Sequence, residues 1–271
     1  MKKYIFVTLL FVSRLAFASS DFYYGLNDVG DKVGQRFYCS GTQGSVPCGI
    51  KMKADGSVQE YVSSYDTLMS DINDNGVAVG QVSMTAGGSI QAATCGTTSC
   101  YPISASLLGY PTWSRAERIN NVGQILIRSS KTVITGFRKS KAVYTEYLLA
   151  GGYASPLPKE NGLTTYSSAL NNYGHTGGIY YSADGTHGFG FIRANGVVTV
   201  LEYPNALYTD VKGVNDNGDA AGEACFETNW AYLPSATCLN LFGWKWNHST
   251  GEFTTFPTRQ LDLNNSGQSV N

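Results

Sequence analysis

The sequence predicts an all-β fold made of tandem four-stranded units, and three observations carry that prediction. An apolar-Asn-(Asp/Asn)-x-Gly string returns six times at near-even spacing. A second hairpin centred on a Gly turn follows it in most copies. No stretch shows helical periodicity. Composition agrees, because 31 Gly and 18 Tyr with only 14% charged residues suit strands and tight turns better than helices.

The first element is the turn string. Its copies are Leu26-Asn27-Asp28-Val29-Gly30, Ile72-Asn73-Asp74-Asn75-Gly76, Ile119-Asn120-Asn121-Val122-Gly123, Leu170-Asn171-Asn172-Tyr173-Gly174, Val214-Asn215-Asp216-Asn217-Gly218 and Leu263-Asn264-Asn265-Ser266-Gly267. Successive first Asn residues lie 46, 47, 51, 44 and 49 positions apart, too regular for chance. Asn and Asp side chains hydrogen-bond their own backbone in turns, and Gly supplies the positive φ that closes the loop. Strands are expected on both sides, as at Val211 to Val214 and Ala220 to Phe226. Four copies carry another Gly four residues on, at Gly34, Gly80, Gly178 and Gly222. Gly inside a strand marks close approach of another backbone, which fits an inner strand crowded near an axis.

The second element is the later hairpin. It reads Phe189 to Arg193, Ala194-Asn195-Gly196 and Val197 to Tyr203 in the fourth unit. In the first it reads Ile50 to Lys53, Ala54-Asp55-Gly56 and Val58 to Val62. The third offers Tyr147 to Leu149 before Ala150-Gly151-Gly152, and the fifth Trp244 to Trp246 before Asn247 to Gly251. In the second unit Cys95 to Cys100 stands where the turn should be. Segments like Tyr203 to Thr209 are left to cross between units. Four strands in this period is the range of propeller blades. The expectation is a β-propeller of about five four-stranded blades, six being possible. The final hairpin, Leu261 to Asn271, would close the ring against Phe22 to Gly25, removing exposed edges.

The chain start reads as an export signal over residues 1–18. Lys2 and Lys3 precede an apolar run, and Ala16-Phe17-Ala18 is a small-x-small cleavage site. The run is too short to span a bilayer. Residues 19–271 then form one repeat domain. Losing Lys2, Lys3 and Arg14 takes the formal net charge from −1 to −4. With no clustered Lys/Arg footprint, a nucleic-acid partner is excluded. Six cysteines in an exported chain read as disulfides, and proximity pairs Cys39 with Cys48, Cys95 with Cys100 and Cys225 with Cys238. Zinc would need Cys/His quartets, which His175, His187 and His248 cannot complete.

These units resemble the HAF-type extracellular repeat family of secreted bacterial proteins. The Ile-Asn-Asp/Asn-x-Gly-x-x-Val-Gly element is clearest over Ile72 to Gly80. The His-Ala-Phe element survives as Thr186-His187-Gly188-Phe189 and is diluted to Leu241-Phe242-Gly243-Trp244. The resemblance covers roughly residues 22–271. It implies export and a β-repeat fold, and no activity.

Candidate sites are few. Asp71 to Gly76 opens like an acidic calcium loop, but Val82 holds the closing position that needs a carboxylate. The motif Asn residues, with Asp28, Asp74 and Asp216, would form a polar ring that either binds a small polar ligand or serves only the turns. Trp244 and Trp246 share one strand face and are assigned to the core. Trp230 and Tyr232, in the Cys225–Cys238 loop, are the ligand-binding candidates. No catalytic motif, metal site or cofactor is indicated. The expected function is an exported, non-enzymatic binding protein. It would be secreted or periplasmic, act as a monomer, and hold a glycan or another extracellular molecule on its loops. The alternatives are a propeller-fold glycosidase using Asp71, Asp210 or Asp262, and a structural or assembly partner in the cell envelope.

Overall fold

Every Asn-(Asp/Asn)-x-Gly turn ends one strand and starts the next. A computed structural model describes residues 21–37, 39, 47–61, 66–83, 85, 88–97, 99–136, 139–229, 233 and 237–270. Its described residues form 22 strands and two short 3-10 turns, Ala105–Leu108 and Glu160–Gly162. The first sheet holds β1 (Asp21–Leu26), β2 (Lys32–Arg36), β3 (Cys48–Met52) and β4 (Val58–Tyr61). The second holds β5 (Thr67–Ile72), β6 (Ala78–Ser83), β7 (Ile90–Cys95) and β8 (Cys100–Pro102). The third holds β9 (Trp113–Ile119), β10 (Ile125–Gly136), β11 (Lys139–Ala150) and β12 (Tyr153–Pro156). In the fourth are β13 (Thr165–Leu170), β14 (Thr176–Tyr181), β15 (Gly188–Ala194) and β16 (Val197–Leu201). The fifth contains β17 (Tyr208–Val214), β18 (Ala220–Thr228), β19 (Cys238–Trp246) and β20 (Phe253–Phe256). A last hairpin pairs β21 (Asp262–Leu263) with β22 (Ser269–Val270).

Each sheet is an open antiparallel meander in chain order, and a single parallel bridge, Gly188 to Tyr208, touches the fourth to the fifth. The first strand of each sheet contacts the first strand of the next, and β21 contacts both β17 and β1. In all five sheets the register skips one residue there: Tyr24, Ser70, Glu117, Ser168 and Lys212. Each lies three positions before its motif Asn. A bulge bends a strand and re-aims side chains.

The bulges explain the strand glycines differently from the sequence expectation. A Cβ at Gly34, Gly80, Gly178 or Gly222 would overlap the carbonyl oxygen of Phe22, Leu68, Tyr166 or Asp210. That oxygen belongs to the first strand of the same sheet, so the crowding is within a sheet. Crowding between sheets falls on Gly25, where a Cβ would sit 2.5 Å from the Asp71 Cα.

The apolar core is divided among the spaces between sheets. Val79, Ala92, Ala116, Ile119 and Ile127 pack the second sheet on the third. Ile192, Leu201, Val211, Val214 and fully buried Trp244 pack the fourth on the fifth. Trp246 lies half-buried against that cluster, so both tryptophans join the core as expected. The predicted hairpins appear at the predicted turns. The exception in length is β10–β11, whose strands run twelve residues each and project past their neighbours. The Lys131-Thr-Val-Ile-Thr135 run is rich in β-branched residues, and these favour extended backbone.

Candidate functional site

The six turns form one edge of the molecule, and their side chains lock together. The first Asn of each turn accepts the backbone N–H four residues on, as Asn27 Oδ1 does from Asp31 at 2.8 Å and Asn120 Oδ1 from Gln124 at 2.8 Å. Its Nδ2 then donates to the carbonyl of the corresponding Asn in the next sheet. Asn27 reaches Asn73, Asn73 reaches Asn120, Asn120 reaches Asn171, Asn171 reaches Asn215, and Asn264 returns to Asn27. Asn215 keeps its amide on Asp219 instead. The second motif residue accepts the backbone N–H of its predecessor, and these bonds run through Asp28, Asp74, Asn121, Asn172, Asp216 and Asn265 back to Asp28. The cycle of hydrogen bonds is therefore closed. A shallow depression of about 60 Å³ lies inside it. The polar atoms around that depression are largely used by the cycle.

One layer below, three charged residues fill the centre. Arg118 crosses from β9, donating from Nη2 to the carbonyls of Lys212 at 2.8 Å and Leu261 at 2.7 Å. Asp262 Oδ1 lies 4.0 Å from its Nε, and Oδ2 accepts the Leu26 N–H at 3.0 Å. Asp71 accepts the N–H of Ile72 and of Ile119, both at 2.8 Å. Burial and the neighbouring Asp262 charge push the Asp71 carboxyl well above its ordinary range. Burial also raises Asp262, against the pull of Arg118. Both Asp71 oxygens thus face N–H donors, which is the arrangement of a structural brace and unlike a calcium loop.

The opposite edge carries the strand ends bridged by Cys39–Cys48 and Cys225–Cys238 and the β10–β11 arm, whereas Cys95–Cys100 closes the β7–β8 turn on the side of the Asn turns. Cys39–Cys48, Cys95–Cys100 and Cys225–Cys238 are all formed, as the spacing predicts. They fit an oxidising compartment. Among the described residues the one close set of metal-type donors is Cys39, Cys48 and Glu60, and its sulfurs are spent in a disulfide. No helix among those residues is long and apolar enough to cross a membrane.

A charged and aromatic band links the third, fourth and fifth sheets near this edge. Arg128 and Glu146 stand opposite each other on β10 and β11. Glu146 accepts the Ser167 N–H at 2.6 Å and its hydroxyl at 2.7 Å, and burial raises its carboxyl. The Arg128 guanidinium lies 4.9 Å over the Tyr166 ring, and Tyr166 meets Tyr181 edge-on at 6.1 Å. Further on, Lys212 binds Asp210 at 2.6 Å and Glu223 at 3.6 Å. Burial pulls the Lys212 ammonium down, but those two carboxylates outweigh it and hold its pKa up. Asp210 Oδ1 and Glu223 Oε2 are sealed from solvent.

The band opens into a recess of about 200 Å³ between the outer edge of β11 and the β12–β13 connection. Tyr144, Tyr166, Lys141 and Lys159 line it, over Arg128 and Glu146. Tyr144 is 47% exposed. Of the residues singled out from sequence, Asp210 joins the band, whereas Asp71 and Asp262 join the central brace. Trp230 and Tyr232 lie outside the described residues. Sequence reading missed Arg128, Glu146 and Tyr166, which belong to no motif and meet only through sheet neighbours. No family model matches the chain, and no curated protein matches it.

Proposed function

We propose that the chain is an exported β-propeller of five blades, with the last hairpin in a sixth position, belonging to the HAF-type repeat proteins. It works outside the cytoplasm as a binding protein for a glycan. The closed hydrogen-bond cycle and the meeting of β21 with β1 support the ring. The disulfides support export. The observation that carries the ligand class is the recess, where half-exposed Tyr144 offers a flat face to a sugar ring beside Lys141 and Lys159 and above the Arg128–Tyr166 stack. Arg128, Lys141 and Lys159 outnumber Glu146 there, so an acidic sugar fits best. Binding is favoured over hydrolysis because the available acids are occupied. Asp71, Asp210 and Asp262 are 5%, 8% and 7% exposed, and each is braced or ion-paired.

The test is a panel of neutral and acidic glycans presented to the oxidised chain from residue 19 onward. Acidic members should bind, and Tyr144→Ala should weaken them roughly three- to tenfold, the worth of one aromatic contact. A folded chain that binds no member sinks the glycan reading. Loss on Trp230→Ala with Tyr144→Ala unchanged would move the site to the Cys225–Cys238 loop.

A further inference from the structure

The β10–β11 arm has two free strand edges, and they are guarded differently. β10 pairs with β9 only as far as Ser130, so Lys131–Gly136 has β11 on one side and, among the described residues, no strand on the other. The outer edge of β11 from Lys139 to Thr145 carries Lys139 and Lys141, and lysine on an edge discourages further pairing. The β10 edge reads Lys-Thr-Val-Ile-Thr-Gly. Its one charge stands at the start of the segment, where exposed Lys131 donates from Nζ to the Gly109 carbonyl at 3.1 Å. Ile134 is 82% exposed and Val133 41%. The Thr132–Thr135 stretch of that edge is β-branched, uncharged and without proline, and such an edge is a template for another strand.

The edge also presents the groups that pairing needs. The Ser130 carbonyl accepts the Thr112 N–H at 2.9 Å, so it points to the β9 side. Strand carbonyls alternate sides, and the β10–β11 register is regular through Ile134, so Thr132 and Ile134 point the same way. Beyond Thr112 no backbone among the described residues pairs with that side.

We propose that a second copy of this chain closes this edge, the two β10 strands pairing antiparallel about a twofold axis at Val133. Thr132 then faces Ile134 of the second copy, and Lys131 faces Thr135, so no like charges are opposed. The segment is its own complement, which is what an isologous interface requires. The result is a continuous four-stranded sheet running β11–β10–β10–β11. Six residues per copy fall short of the standard interface of about 800 Å² per partner, so the dimer is concentration-dependent. This replaces the monomer expected from sequence.

Sedimentation equilibrium of the oxidised mature chain from roughly 1 μM to 1 mM covers the range of weak specific association. The mass should rise from one chain to two. Ile134→Lys should hold it at one chain throughout, with an unchanged melting transition because the side chain is exposed. Lys139→Ser, on the other edge, should leave the dimer as it is. A parent chain that stays at one mass to the top of the range overturns the proposal. So does a mass that climbs past two chains, or an Ile134→Lys chain that associates like the parent.

Discussion

The two edges of this molecule are built on opposite plans. At the turn edge all six copies do the same thing, and each Asn serves both its own turn and its neighbour. At the other edge the sheets differ, although the first and fifth each carry a disulfide between their second and third strands. The third sheet carries a hairpin with strands of twelve residues each, the fifth the Cys225–Cys238 bridge, and the fourth the Tyr166 ring under the Arg128 guanidinium. The difference teaches which edge fixes the arrangement of the sheets. The turn edge holds the sheets in order. The loop edge can vary because nothing in the order of the sheets depends on it.

That contrast is broken most severely at Arg118. Its guanidinium ties the third sheet to the fifth and to the last hairpin, and it is the cation beside two buried carboxyls. Arg118→Ala should cost about 3–5 kcal/mol, as removal of one partner from a buried charge set does. Urea unfolding would show it as a lower midpoint. A variant within 1 kcal/mol of the parent would mean the centre is not what holds the sheets together.

The turn cycle should give a smaller and graded loss. Asn120→Ala removes an acceptor for the Gln124 N–H and a donor to Asn171 in the next sheet. About 1–2 kcal/mol is expected. Asn215 caps its own turn but sends its amide to Asp219, so Asn215→Ala lacks the inter-sheet part. It should be milder by about one net hydrogen bond, roughly 1 kcal/mol. Equal losses at the two positions would show that the inter-sheet bonds add nothing and that the turns act alone.

Much of the turn edge was legible in the sequence, because one string of residue types repeats wherever the same backbone geometry repeats. The hairpins and the disulfides followed from local chemistry for the same reason. The second strand glycines were legible as crowding, but not as crowding within a sheet, because the bulges that cause it leave no residue signature. The centre left a faint signal. Two positions before each motif Asn the six copies read Gly25, Asp71, Arg118, Ala169, Gly213 and Asp262. Three small residues and three charges share that column, which fits charged side chains filling space that the small ones leave. The band over Arg128, Glu146 and Tyr166 left none, since it joins strands from two sheets at positions with no counterpart elsewhere. The length of the β10–β11 arm was hidden because the copy spacing stretches by only a few residues there, from 47 to 51.

The finest test of the centre is its pH dependence. Asp71 titrates higher in the folded chain than in the unfolded one, because burial and the Asp262 charge disfavour its ionised form. The folded state therefore binds the extra proton, and stability falls as pH rises from the unfolded carboxyl value near 3.8 toward the raised folded value. For one proton the slope cannot exceed about 1.4 kcal/mol per pH unit. In Asp71→Asn this titration is gone, and the amide stays neutral at every pH. The substitution costs one of the two N–H contacts, which sets a constant offset. The advantage of the parent over the variant should then be largest near pH 4 and shrink toward neutrality. Paired chemical denaturation of both chains across that range measures it. A difference that is flat, or that grows with pH, would show Asp71 to be ionised in the folded chain, and the brace to be an Arg118-centred ion cluster carrying two full negative charges.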